Sequence, residues 1–374
     1  MSISILVGLK NNLEYTKYFY ETTRELYPEV EICFASYGST DGTKEWLDSL
    51  NDVNTKYFYS DESKTFSDTF NKATYLATNE YVVYLHNDIV LAPNFIENLE
   101  KHVSPNNIVS YTTIEPPIFV DHERPGKIIK DFGSSLETFN KEAMFEFVKD
   151  QKQYQNKTEL GITFFMCMPR KTLLEIGGLD NLFKPMFCED DDLILRWKLL
   201  GLNCITSLDS ICYHFVSKTS RFSDEYKNTT NKIELCSNRN FVRKWGFRKS
   251  NYNKKYNIAF VVHNCSTHLL DILEPWCSKI YIDIPFDDYI EKEQINTKFD
   301  LSKRILPIQN NYPEKENDII VEFDANKITQ QSFLLIQNLS EIIKESGEIG
   351  EFELDLFKIK ILSLNEYQNE LIHL

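Results

Sequence analysis

Residues 81–88 read YVVYLHND: Tyr81–Leu85 is a short β-branched and aromatic run, and His86-Asn87-Asp88 ends it with three polar side chains. An apolar run bounded in this way reads as a strand buried on both faces. Such strands belong to parallel sheets covered by helices, and ligands of these sheets bind beyond the carboxyl ends of the strands. The stretch therefore predicts an α/β fold and also puts a carboxylate at its ligand edge. A carboxylate there can hold a divalent cation that also contacts a diphosphate. Alone the second reading is weak, because an aspartate at a strand end more often caps the next turn.

Working outward, the same alternation repeats. Toward the N-terminus, Ser2–Leu9 (SISILVGL), Glu31–Ala35 and Lys56–Ser60 read as strands. Asn12–Leu26 and Thr65–Ala77 read as helices, and Asp41-Gly42-Thr43 opens a short helix that Asp41 or Thr43 caps. Toward the C-terminus the pattern weakens over residues 104–155, where Pro116, Pro117 and Pro125 break it; a variable connection carrying short strands is expected. Regular structure resumes with a strand at Gly161–Met168, a short helix ended by Gly177-Gly178, a helix at Asp190–Leu200 stopped by Gly201, a strand at Asn203–Leu208 and a helix at Asp224–Trp245. The polar, basic stretch Arg248–Tyr256 reads as a linker. A second α/β series follows, with strands at Asn257–His263, Lys279–Ile284, near Ile305, at Asp318–Asp324 and near Leu354–Phe357, and helices at Thr267–Trp276 and Gln330–Ser346. The expected organisation is one domain at 1–247, a linker at 248–256 and a smaller α/β domain at 257–374.

Composition narrows the function. The 374 residues are 42% hydrophobic and 26% charged, which is enough apolar material for a sizeable core. The formal charge of −15 excludes broad nucleic-acid binding, which needs excess Lys and Arg. The eight cysteines show no CxxC spacing, so buried free thiols in a reducing compartment are expected, with no disulfide framework and no zinc site. A strand starting at Ser2 leaves no room for a signal peptide, and no apolar run approaches the ~20 residues of a bilayer span. The expected location is the cytoplasm (host cytoplasm if the A+T-rich residue usage is viral), with any membrane contact peripheral.

Two further clusters carry chemistry. Phe187-Cys188 leads directly into Glu189-Asp190-Asp191-Asp192 at a helix start. Acids there complement the helix dipole, and Asp192 with Arg196 forms an ordinary i,i+4 pair. The apolar lead-in is not explained by capping, and an acid at a pocket mouth can serve as a general base. The third cluster is Cys212-Tyr213-His214-Phe215, a lone histidine after a strand. Such a residue is more often structural than a ligand, yet a neutral imidazole can complete a metal shell with Asp88.

Taken together and in this order, these features resemble the family 2 glycosyltransferases of the GT-A fold, over residues 2 to about 245. Ser2–Asn11 resembles the opening strand and its nucleotide-contacting turn, and Gly38-Ser39-Thr40-Asp41-Gly42-Thr43 the family's Gly-Ser-Thr-Asp-Gly-Thr turn. Phe70-Asn71-Lys72-Ala73 with Tyr84–Asp88 resembles the helix and metal motif. Gly177-Gly178-Leu179-Asp180, running on to Phe187–Leu193, Arg196 and Gly201, resembles the acceptor-side block. There are departures: Ser36-Tyr37 stand where the family commonly has an acid, and His86 and Asn87 fill the earlier positions of the metal motif, which keeps only Asp88.

The resemblance implies an inverting, metal-dependent transfer from a nucleoside diphosphate sugar, a UDP-sugar first, to a saccharide or other acceptor hydroxyl. It assigns Asp88 and His214 to Mn²⁺ or Mg²⁺, and Asp190 as the base with Glu189 orienting a sugar. Leu9, Asn11, Ser36, Tyr37, Ser39, Asn71, His86 and Asn87 fall to the donor nucleotide. Two other classes stand beside it: a nucleotide-sugar or glycan-binding module without catalysis, and a nucleotidyl transferase, for which Gly8-Leu9-Lys10-Asn11-Asn12 is a poor phosphate loop. The C-terminal part faintly resembles a Rossmann-like methyltransferase in which Asp283 meets a ribose. Its first loop, His263–Thr267, has no glycine, so a non-catalytic accessory domain is the reading preferred.

Overall fold

The structure is a computed structural model that describes residues 2–120, 123–216, 218, 221, 223, 225–308 and 316–374. It divides into two compact units: residues 1–181, 189–231 and 373–374, and residues 182–188 and 232–372. The expected linker at 248–256 lies within the second unit, where Tyr256 is buried and Lys255 donates to the Arg243 carbonyl at 3.3 Å.

The first unit is built on one 10-stranded sheet. Its strands, in chain order, are β1 (Ile3–Leu9), β2 (Glu31–Tyr37), β3 (Thr55–Ser60), β4 (Tyr81–Leu85), β5 (Ile89–Leu91), β6 (Asn107–Glu115), β7 (Lys127–Ile129), β8 (Thr158–Leu160), β9 (Met166–Pro169) and β10 (Asn203–His214). The main path runs β3-β2-β1-β4-β9-β6-β10-β5. The β3-β2-β1-β4 half is parallel, with helices Leu13–Leu26, Thr43–Ser49 and Phe66–Leu76 in its crossovers. Because β1 pairs with both β2 and β4, the order reverses beside β1, and the crevice opens at the carboxyl ends of β1 and β4. β1 and β4 are almost wholly buried, as apolar runs in a doubly covered sheet must be. Gly8 lets the helix Phe66–Leu76 pack closely, since a Cβ there would stand 2.7 Å from the Phe70 ring.

Two strands depart from expectation. β6 is a nine-residue, almost fully buried strand inside the stretch read as a variable connection. Its Ser110, Thr112, Thr113 and Glu115 are polar, so no apolar run announced it. They are buried because hydroxyls find partners, such as Thr112 Oγ1 to the Ser207 carbonyl at 3.0 Å. β10 continues beyond Leu208 to His214 through an irregularity between Ser207 and Ile211. Of the strand expected at Gly161–Met168 only the last three residues are in a strand, β9, with β8 lying just before the expected range, and the helix expected from Asp224 starts at Thr230.

The second unit has its own six-stranded sheet, adding β11 (Ile258–His263), β12 (Lys279–Ile282), β13 (Ile305–Pro307), β14 (Ile319–Asp324), β15 (Gly350–Leu354) and β16 (Phe357–Ile361). The order is β13-β12-β11-β14-β16-β15, four parallel strands closed by an antiparallel hairpin. Phe260, Val262, Ile280, Ile282, Val321 and Phe323 form its main core. Asp283 accepts the backbone amides of Asn264 and Cys265 at 2.6 and 3.0 Å. That bonding supports the glycine-free loop after β11, in which Asn264 itself takes φ 53°. No helix among the described residues is long and apolar enough to cross a membrane. All eight cysteines are free thiols, six of them buried.

Arg196 and Asp192, both fully buried, pair at 2.9 Å, as their i,i+4 spacing predicts. Arg196 also donates to the carbonyls of Ile176 and Gly178. Removing one partner of a buried pair costs about 3–5 kcal/mol. Arg196→Ala should therefore lower the urea midpoint of unfolding by that much stability; a change below about 1 kcal/mol would show that the pair is not a structural tie.

Candidate functional site

Two loops meet at the carboxyl end of β1. The Asn11 amide donates to Ser39 Oγ at 2.9 Å, and Asn11 Oδ1 accepts from the Thr40 amide at 2.8 Å. Asn11 and Asn12 both hold positive φ, 57° and 67°, a conformation asparagine tolerates. Asp41 closes the same knot, accepting from the Leu13 amide at 2.8 Å and from Thr43 Oγ1 at 2.6 Å. Ser36 Oγ lies 2.8 Å from Ser39 Oγ, so Asn11, Ser39 and Ser36 form one hydrogen-bonded chain, and Leu9 at the end of β1 is buried. Tyr37 ends β2 half-buried, its ring 5.3 Å from that of Phe58. Asn71 is committed elsewhere: its amide takes both backbone groups of Leu179, at 2.7 and 2.8 Å. Asn87 Nδ2 donates to Thr16 Oγ1 at 2.9 Å.

The second grouping is His86, Asp88 and His214, whose ligand atoms all lie within 4.8 Å of one another. The sheet puts them there. β5 runs antiparallel to β10 with Ile89 opposite His214, and the Phe215 amide donates to the Asp88 carbonyl at 3.0 Å. His214 Nε2 stands 3.4 Å and His86 Nδ1 3.9 Å from Asp88 Oδ1. His214 Nδ1 lies 3.1 Å from Glu115 Oε1. Glu115 ends β6, beside β10, and also meets Arg124 and Thr113. Phe164 and Phe165 wall the histidines, with His86 4.9 Å from the Phe164 ring and His214 5.0 Å from the Phe165 ring.

Charge follows from this packing. Burial pushes the Asp88 carboxyl up, but the His214 imidazolium beside it holds the net value far below the ordinary carboxylate range. Burial alone would lower His214; Asp88 and Glu115 raise it to about 9. His86 falls to about 4, chiefly through burial. Glu115 is brought down to about 2 because His214 and Arg124 outweigh its burial. A divalent cation fits this donor set. His214 Nε2 is a buried nitrogen without a hydrogen bond beside the Asp88 carboxylate, and His86 turns Nδ1 toward the same carboxylate oxygen.

Glu189 and Asp190 open the helix Glu189–Leu199, Glu189 buried and Asp190 half-buried like Asp191. Phe187 and Cys188 just before them hold φ 77° and 69°, a left-handed pair that costs of order 1–3 kcal/mol per residue. Sequence reasoning grouped His86 with the nucleotide; geometry places it in the cation-competent group. Glu115, Arg124 and Phe165 were missed. The acid before Pro116-Pro117 and the Phe164-Phe165 pair were the available signals.

The parallel half-sheet thus carries a cation-competent group near its switch point. Residues 4–177, a little under half of the chain, match the family model described as Glycosyl transferase family 2. No curated protein sequence matches the chain significantly. Similar solved structures include the mannosyltransferase PcManGT from Pyrobaculum calidifontis in complex with GDP-Man and Mn²⁺, at 17% identity and TM-score 0.41, covering 58% of each chain. GalNAc-T7 with UDP, GalNAc and Mn²⁺ is similar at 12% identity and TM-score 0.42, over 57% of this chain and 43% of that one. S. aureus TarS 1–349 is similar at 14% identity and TM-score 0.41, over 66% and 74%. The chain thus spans little more than half of the first of these and less than half of the second.

The raised pKa of His214 has a testable sign. Between its ordinary 6.5 and about 9 the folded state holds a proton that the unfolded state has released. The stabilisation is complete below pH 6.5 and is lost as pH rises through about 9. In EDTA, stability from denaturant unfolding should fall across that window, with a slope of ~1.4 kcal/mol per pH unit. His214→Gln should flatten the slope; an unchanged slope would assign it to another group.

Proposed function

We propose that the chain transfers a glycosyl group from a nucleoside diphosphate sugar to an acceptor hydroxyl, inverting the anomeric centre. The observation that carries this reading is the convergence of His86, Asp88 and His214 at the edge of the sheet whose first strands lie in the region, residues 4–177, that matches the family 2 glycosyltransferase model. Held by these three residues, a divalent cation would neutralise the charge that develops on the leaving diphosphate. Two imidazole nitrogens argue for Mn²⁺ ahead of Mg²⁺, which prefers oxygen ligands.

The chain's own groups divide the remaining work. The Asn11–Ser39 knot and Tyr37 form the rim for the nucleotide, with a UDP-sugar the first donor to try. Lys10 Nζ, 2.9 Å from the Gly38 carbonyl, ties that rim together. Phe164 and Phe165 keep water from the reacting end, which protects the donor from hydrolysis. Asp190 accepts the proton of the attacking hydroxyl, and Glu189 orients a sugar. The helix dipole favours the ionised form of an acid in this first turn. The acceptor is a saccharide or another hydroxyl compound, the site of action is the cytoplasm, and residues 257–374 serve as a non-catalytic accessory part.

Transfer should be assayed with UDP-sugars and Mn²⁺, reading the product anomer by NMR. EDTA should abolish it, and extra Mn²⁺ should not rescue Asp88→Ala. Asp190→Asn keeps shape and loses the base, so kcat should fall ~10²–10⁴-fold with donor binding retained. If both variants turn over normally, the mechanism is wrong. Donor binding without turnover in the unaltered protein would leave a binding module.

A further inference from the structure

We propose that Glu115 is the positioning residue of the cation site: its carboxylate fixes the His214 ring so that Nε2, and not Nδ1, is offered beside Asp88. The inference rests on reading His86, Asp88 and His214 as cation ligands.

The chemistry of the pair leaves one arrangement. A carboxylate only accepts hydrogen bonds, so at 3.1 Å from Glu115 Oε1 the Nδ1 of His214 is the donor. The neutral ring then carries its lone pair on Nε2. That atom is buried, has no hydrogen bond, and faces Asp88 Oδ1 at 3.4 Å. A ring free to turn would offer either nitrogen and would lose orientational entropy on binding. Here both partners stand on neighbouring strands of one sheet. Ile114 on β6 pairs with Tyr213 on β10, and Glu115 and His214 each follow by one residue.

Glu115 is itself held. It is 5% exposed, its Oε1 accepts from Arg124 Nη2 and from Thr113 Oγ1, and its Oε2 lies 3.8 Å from Lys127 Nζ. Arg124 in turn lies over the Phe165 ring, with Cζ 4.9 Å from the centroid, and Phe165 packs against the rings of both histidines. One oxygen, Oε1, thus faces Arg124, Thr113 and His214 Nδ1 together, so the groups that fix the carboxylate also fix the atom that meets the histidine. If Glu115 served only to neutralise Arg124, its contact with Nδ1 would have no consequence for the cation. The two roles differ in what they predict for affinity.

The test uses the full chain and Mn²⁺ alone, with free Mn²⁺ read by EPR and the fold checked by thermal unfolding in EDTA. Loss of an outer carboxylate that orients a metal-bound histidine typically lowers affinity ~10–100-fold. Glu115→Ala should weaken Mn²⁺ binding by about that factor. Glu115→Gln keeps an acceptor for the Nδ1 proton and should recover part of the loss. Arg124→Gln disturbs the same cluster but leaves the Glu115–His214 bond, and should change affinity far less. The visible spectrum of the Co²⁺-loaded protein should change with Glu115→Ala and not with Arg124→Gln. Mn²⁺ affinity unchanged in both Glu115 variants overturns the inference. So does an Arg124→Gln protein as impaired as Glu115→Ala, because the cluster would then be general support. If the alanine protein does not fold, Glu115→Gln decides alone: several-fold weaker binding is expected, and unchanged binding overturns it. Should Asp88→Ala bind Mn²⁺ as well as the unaltered chain, the cation reading itself fails and takes this inference with it.

Discussion

A carboxylate taken out of water must find positive charge, and Asp88 is 2% exposed. Much of the first unit's architecture near the crevice can be read as the answer to that requirement. The chain leaves β4, turns at residues 86–88, and reverses into β5 against the last residues of β10. That reversal brings both imidazoles to the same carboxylate oxygen, Asp88 Oδ1. In the free protein a proton on His214 supplies the charge; a divalent cation is a stronger supplier at the same place. Stability and cation affinity are therefore two uses of one electrostatic demand, and they compete for the same nitrogen.

The rest of the crevice is made rigid by ordinary means. Short polar side chains, Asn11, Ser39 and Asp41, bond backbone amides across two loops. The Asn71 amide clasps the backbone of Leu179, and the adjacent Gly178 leaves no room for a Cβ, which would stand 2.2 Å from Asn71 Oδ1. These contacts join segments more than 100 residues apart in sequence. They explain why turn motifs and the Gly177-Gly178 pair can be widely separated along the chain yet serve one edge of one sheet. The acidic helix start differs in kind. Asp192 is a structural ion, whereas Glu189 and Asp190 stand after two residues held at positive φ. Backbone strain beside ionisable groups is commonly found where orientation matters to function.

The fold was legible wherever apolar runs or turn chemistry marked it. β1, β2 and β4 read directly as buried strands, as did the helices between them, because burial on both faces demands uninterrupted apolar residues. β6 did not. Its sequence, NIVSYTTIE, breaks its apolar residues with Ser110, Thr112 and Thr113 and sits before two prolines. The hydroxyls are buried only because β9, β10 and the residues before β9 supply partners, and no local pattern encodes those partners. The end of β10 was lost for a related reason: the irregularity at Ser207–Ile211 breaks the two-residue period. Since Glu115 ends one of these strands and His214 the other, their pairing was out of reach of any reading along the chain.

By itself the sequence determined an α/β chain of acidic net charge, an aspartate at the end of a buried strand, a Gly-Ser-Thr-Asp-Gly-Thr turn, and an acid-rich helix start with its Asp192–Arg196 pair. All of these are properties of residues near one another in sequence, where spacing alone sets the geometry. The expected cap is not among them: the helix after that turn has Gly42 as its N-cap and no side-chain cap from Asp41 or Thr43. Only the tertiary structure decided that His86 joins Asp88 and His214, that Asn71 is a clasp, and that Glu115 and Arg124 stand behind the histidine. These depend on which strands lie side by side. Sheet order is set by the packing of the whole unit, so residues 86, 115 and 214 become neighbours only when the sheet has formed.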